Sequence, residues 1–108
     1  MFNKIIDFWF TELEPKQWWE KDEAFDLMIQ ARFGQLHQQA SASKLFQCRE
    51  SALGSLAEII VLDQFSRNIY RDKLASFACD SMALALAQSA ITKGFDKKLT
   101  DEQRVFLY

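Results

Sequence analysis

Turn-forming residues are almost missing from this chain. Three glycines and one proline occur in 108 residues, against roughly 12% in average proteins. Sandwiches and barrels need a tight turn between successive short strands, so this scarcity argues against both. Alanine and leucine supply 24 residues, while Val, Ile and Thr supply only 12. An all-α fold is expected. A surplus of positive charge is also lacking. The net charge is −2, whereas duplex binding usually draws on a clustered basic excess, so no nucleic-acid partner is expected. The first 26 residues carry three Lys and seven Asp or Glu and are acidic.

Long apolar runs are missing as well. No window of about 18 apolar residues exists, so no membrane span is expected. The start of the chain has one cation, and its apolar run breaks at Asp7, which does not fit a signal peptide. A cytoplasmic location is expected. Cys48 and Cys79 lie 31 residues apart with no CxxC spacing, so both are expected to stay reduced, with Cys79 packed as a small apolar residue. His37 is the only histidine, which argues against a Ser-His-Asp triad or a multi-histidine metal site; it reads as a surface residue. No glycine-rich phosphate loop is present. Neither a cofactor nor a metal is expected.

What remains is apolar and aromatic. Hydrophobic residues make up 49% and charged residues 26%, the usage of a folded globular chain. Ten phenylalanines and three tryptophans must be covered within this chain or by a partner. Five helices are expected, in antiparallel hairpins. The first spans residues 2–10 and is broken by Glu14-Pro15. The second is capped by Asp22, with Glu23 and Asp26 in its first turn as helix-start acids rather than metal ligands. It carries Phe25, Met28, Ile29, Phe33 and Leu36 to about residue 40. The third opens at Ser51 and reaches about residue 70. A link over residues 72–76 leads to a fourth over residues 77–93, with Met82, Leu86, Ala90 and Ile91 in one stripe, and Gly94 fits the left-handed position beyond it. The Thr100-Asp101-Glu102-Gln103 run is a capping box for a fifth helix. That helix reaches Val105-Phe106-Leu107-Tyr108 with no cap, from which a longer parent domain is expected, with residues 1–108 its N-terminal part. Self-association through an exposed apolar C-terminal surface is a further expectation.

One stretch stands out chemically: Leu62-Asp63-Gln64-Phe65-Ser66-Arg67-Asn68-Ile69-Tyr70-Arg71. At 100° per residue, Asp63, Gln64, Arg67, Asn68 and Arg71 share a wedge of roughly 140°. Upstream, the same wedge holds Leu53, Leu56 and Ile60. A face that starts apolar and then gathers guanidiniums, a carboxylate and amides fits two descriptions. One is an anion pocket; the other is an ion-pair network that fixes how helices dock. Asp63 and Arg67 are spaced as a pair. Arg71 needs a partner from elsewhere, and Asp80 is the candidate.

Further residues form an ordered series with this stretch: Phe8-Trp9-Phe10, Trp18 with Lys21-Asp22, Phe25-Asp26, Arg32-Phe33, residues 59–71, Phe77-Ala78 with Asp80, Ala90-Ile91 with Gly94, and Arg104 with Phe106-Leu107-Tyr108. The series resembles the bacterial family called domain of unknown function nine-two-four, over nearly the whole chain. The resemblance implies a tetratricopeptide-like arrangement of helical hairpins and no established activity. Ser66 stands where the family usually has proline, which implies a straighter helix. The family pattern continues to a Met-Pro-x-x-His-Ser-Glu-like stretch that this chain does not contain. Two functions follow. The first is a binding module in which Arg67 and Arg71 hold a peptide or small anionic ligand, Asp63 and Asp80 orient them, and Gln64 and Asn68 add directional bonds. The alternative is part of an enzyme whose site needs that further His/Ser/Glu stretch.

Overall fold

The computed structural model describes residues 2–42, 44–71, 73 and 77–107. Among the described residues five α-helices form and no strand occurs. Helix α1 runs over Phe2–Asp7 and continues as a π-helical turn over Phe8–Glu12. The chain then turns extended at Leu13 and Glu14, and Pro15 opens a short 3₁₀ turn, Pro15–Trp18. Proline suits that first position because its missing N–H would have had no partner there. Helix α2 is Glu23–Ser41, and the Asp22 side chain accepts from Phe25 N at 3.2 Å. Helix α3 begins at Ala52, with Ser51 Oγ accepting from Gly54 N at 3.0 Å. It passes from α (Ala52–Ile60) through a π turn (Val61–Phe65) to α again (Ser66–Ile69).

Helix α4, Asp80–Thr92, starts three residues later than its periodicity predicts. Gly94 follows it at φ 76°. Helix α5 is Asp101–Leu107, and its capping box is formed in both directions: Thr100 N donates to Gln103 Oε1 at 2.9 Å, and Gln103 N donates to Thr100 Oγ1 at 3.2 Å. Residues 72 and 74–76 of the expected link lie outside the described residues.

Helix α3 is the centre of the packing. Helix α1 lies on its first half, α2 on its second half, and α4 and α5 pack against it as well. The other four helices are thus gathered around α3. The core is a single cluster, to which α3 contributes Leu56, Ile60, Leu62 and Phe65, all fully buried. On α2 the buried positions are Phe25, Ile29, Phe33, His37 and Ala40, a stripe that steps by four and then three. On α4 the buried positions are Ala83, Ala87 and Ala90, and Met82 and Leu86 of the expected stripe pack partly buried beside them. Ile91 is left exposed. Small side chains there allow α4 to approach α3 closely.

The aromatic load is mostly satisfied internally. Phe8 packs against Phe33 at 4.8 Å between ring centroids, and Phe33 against Phe65 at 4.9 Å. Phe106 sits between Trp9 (5.5 Å), Phe10 (5.8 Å), Trp18 (5.0 Å) and Trp19 (5.7 Å). Phe106 and Leu107 are therefore buried, and Val105 is the apolar residue of α5 that faces outward.

Two glycines make opposite predictions. A methyl group at Gly54 would stand 2.1 Å from the Cys48 carbonyl oxygen, whereas at Gly34 the nearest atom is 3.9 Å away. Gly34→Ala is expected to stabilise the fold by about 0.5–1 kcal/mol, the ordinary helix-interior gain. Gly54→Ala is expected to destabilise it by about 1–3 kcal/mol, the usual cost of overpacking. Urea unfolding of the two variants checks both signs.

Candidate functional site

The polar wedge does not form as one surface. The π turn at Val61–Phe65 places an extra residue in that turn of the helix. Side chains beyond it are therefore rotated relative to a uniform 100° step. The set divides between two neighbours, with Asp63, Gln64 and Arg67 on one side and Asn68 and Arg71 on the other. The same turn lies directly ahead of Ser66.

Toward α2, Arg71 and Asn68 meet Asp26. Arg71 Nη2 donates to Asp26 Oδ1 at 3.0 Å, and its Nε donates to Oδ2. Asn68 Nδ2 donates to the same Oδ1 at 2.9 Å. The partner of Arg71 is thus Asp26, not Asp80. A planar guanidinium meets a carboxylate with two parallel bonds, and Asp26 can offer both oxygens because it sits on the turn of α2 facing the end of α3. Sequence position alone marked Asp26 as a helix-start acid; it serves that place and pairs with Arg71.

Toward α4, Asp63 and Asp80 share Arg67. Arg67 Nε lies 3.2 Å and its Nη2 3.1 Å from Asp63 Oδ1, with Asp80 Oδ1 3.7 Å from Nη2. Gln64 Nε2 donates to Asp63 Oδ2 at 3.1 Å. The Arg67 guanidinium also stands 5.5 Å from the centre of the Phe77 ring. A cleft of about 260 Å³ opens beside this group. Asp63, Arg67 and Asp80 form its ionic end, and Ile59, Ala83, Leu84, Ala87, Phe106 and Leu107 line the rest. Of the six predicted site residues, the cleft gathers three; Gln64 steadies Asp63, and Asn68 and Arg71 face α2.

Two polar contacts escaped the sequence reading. His37 is buried, not on the surface, and its Nε2 lies 2.6 Å from Ser66 Oγ. The Ser66 hydroxyl donates its one proton to the Leu62 carbonyl at 2.6 Å, so His37 Nε2 is the donor in the pair. Ser66 is buried and its one proton is engaged by the Leu62 carbonyl. The contact ties α2 to α3. The signal was present in the sequence: His37 continues the four-residue series Phe25, Ile29, Phe33. The second contact is Glu58, fully buried on α3 and held by Arg49 through two bonds of 2.9 Å, from Nε and Nη2. Hydrogen bonding to Glu58 raises the Arg49 guanidinium above its ordinary pKa, and burial pushes the neighbouring Cys48 thiol up. Cys48 is buried and Cys79 half-buried; both are free, and Cys79 Sγ lies 3.4 Å from Ser41 Oγ. Among the described residues, no group of three His, Cys, Asp or Glu is arranged to hold a metal ion, and no helix is long and apolar enough to cross a membrane.

The two halves of the wedge differ in burial, and their variants should differ in cost. Asp26→Ala leaves a largely shielded guanidinium and amide without their acceptor and is expected to cost about 2 kcal/mol or more. Asp63→Ala removes a half-exposed pair and is expected to cost under about 1 kcal/mol. Equal shifts in urea midpoint would contradict this division. Burial also holds the His37 pKa below its ordinary 6.5. The unfolded chain therefore binds the proton more readily, and stability present above pH 6.5 is lost as pH falls below that value toward the lowered folded pKa. Urea midpoints measured from neutral pH downward should show this slope, and His37→Gln should flatten it.

No curated protein matches the chain. A solved structure, that of a protein of unknown function ATU0120 from Agrobacterium tumefaciens, is similar with TM-score 0.94 at 37% sequence identity. The match covers 99% of this chain and 60% of that one, so the chain spans 60% of the length of that relative. A family model described as a bacterial protein of unknown function, DUF924, matches residues 5–108. The chain belongs to the DUF924 family.

Proposed function

We propose that this chain acts as a helical binding module and that its ligand is a peptide seated in the cleft between α3, α4 and α5. The observation that carries this reading is the pairing of an apolar floor with a single ionic end. Small-molecule sites usually have about 300–1,000 Å³ and enclose most of the ligand. A volume of about 260 Å³, open to one side, instead suits a few side chains from one face of a peptide. Leu84 at the rim is 60% exposed, an apolar surface available for contact. A small anionic ligand has less support, because Arg71 is committed to Asp26 and Arg67 already faces two carboxylates.

The test is fluorescence anisotropy of labelled amphipathic helical peptides against the chain and its Leu84→Glu variant. Binding to the unaltered chain is expected to weaken at least tenfold in the variant, with its urea midpoint nearly unchanged because Leu84 is exposed. Binding that ignores the substitution, or no binding by any peptide, would overturn the cleft as the site.

A further inference from the structure

The ionic end of the cleft is not balanced. It holds two carboxylates, Asp63 and Asp80, and one guanidinium, Arg67. Asp63 is well met: Arg67 takes Oδ1 and Gln64 takes Oδ2. Asp80 is not. Its nearest cation is Arg67 at 3.7 Å, beyond hydrogen-bond length. Its Oδ1 is shielded from solvent and has no hydrogen-bond partner among the described residues, while the side chain as a whole is 40% exposed, so an added cation would meet the carboxylate from its open side. The Phe77 ring beside Arg67 is 56% exposed and offers a π face to a second cation.

We propose that Asp80 is a specificity-determining residue for a cationic partner: an amphipathic helix that lays its apolar stripe along the cleft and brings a Lys or Arg side chain to the carboxylate. This rests on the reading of the cleft as a peptide site. Charge complementarity selects the occupant. One added cation brings the ionic end to neutrality, whereas an acidic side chain would meet two carboxylates. The groove walls are helices and its floor is apolar, so a helix with a side-chain stripe fits it as helix-in-groove ligands fit theirs. The cation supplies selectivity and the stripe supplies contact area.

The experiment uses three N-acetylated amphipathic helical peptides that are identical except for Lys, Gln or Glu at one end of the leucine stripe. Anisotropy is read at low and high salt, on the unaltered chain and on Asp80→Asn. The Lys peptide is expected to bind about two- to fivefold tighter than the Gln peptide, the range of a partly exposed ion pair. The Glu peptide is expected to bind most weakly. Salt should narrow the differences, and Asp80→Asn should abolish the Lys preference. Equal binding of all three, or a Lys preference that survives Asp80→Asn, would overturn the assignment to Asp80 while leaving the peptide site standing. No binding by any of them would overturn both. Tightest binding of the Glu peptide would assign the cleft to anions through Arg67. Sedimentation of the chain alone reads the other occupant: dimerisation lost in Leu84→Glu, without peptide binding, would give the cleft to a second copy. The comparison of the three peptides on the unaltered chain decides the question even if Asp80→Asn fails to fold.

Discussion

Helix α3 is enclosed by its neighbours along most of its length, and every polar side chain it carries inward must find a partner there. Burying a charge or an amide without one costs several kcal/mol. The groups on α3 are answered from α2 and from the turn before the helix. Glu58 is held by Arg49 in the turn before the helix, Ser66 by His37, and Asn68 by Asp26 of α2. Arg71 closes on the same Asp26. These contacts do not supply the bulk of the stability, which comes from the apolar cluster around Trp9, Leu56, Ile60 and Phe65. They select one arrangement of the helices among the many an apolar surface would accept.

The same requirement separates structure from candidate function. Where α3 faces α2, guanidinium, amide and carboxylate are matched to one another, and the contact is a joint. Where it faces α4, matching stops short, and a cleft lies beside the unmet group. Phe106 contributes to both sides of this division. Its ring is clasped by Trp9, Trp18 and Trp19, and the residue also lines the cleft. The aromatic cluster thus fixes α5 to the start of the chain and shapes part of the surface on which a ligand would lie.

Much of this was legible in the sequence. Asp22, Ser51, Gly94 and the Thr100–Gln103 box each act at their expected positions, because capping depends on a few adjacent residues. The pairing of Asp63 with Arg67 was legible for the same reason. Partners from distant segments were not. Nothing local to Arg71 distinguishes Asp26 from Asp80 as its acceptor; that choice is made by the packing of α2 on α3. Nor does the sequence mark a π turn, or show that one wedge of about 140° spans two neighbouring helices. The burial of His37 follows its place in the Phe25, Ile29, Phe33 series and not its residue type.

The π turn at Val61–Phe65 behaves as a one-residue insertion stored inside a helix. Removing a residue there would let the helix close as ordinary α, at little cost to its hydrogen bonding. Everything after it would keep its present orientation, because the wide turn already absorbs the extra residue, so Arg67 would still reach Asp63 and Arg71 would still reach Asp26. A helix of unchanged length closed wholly as α would instead swing both arginines by about 100°. The width of this one turn, more than the identity of any of its five residues, sets which neighbour each arginine reaches.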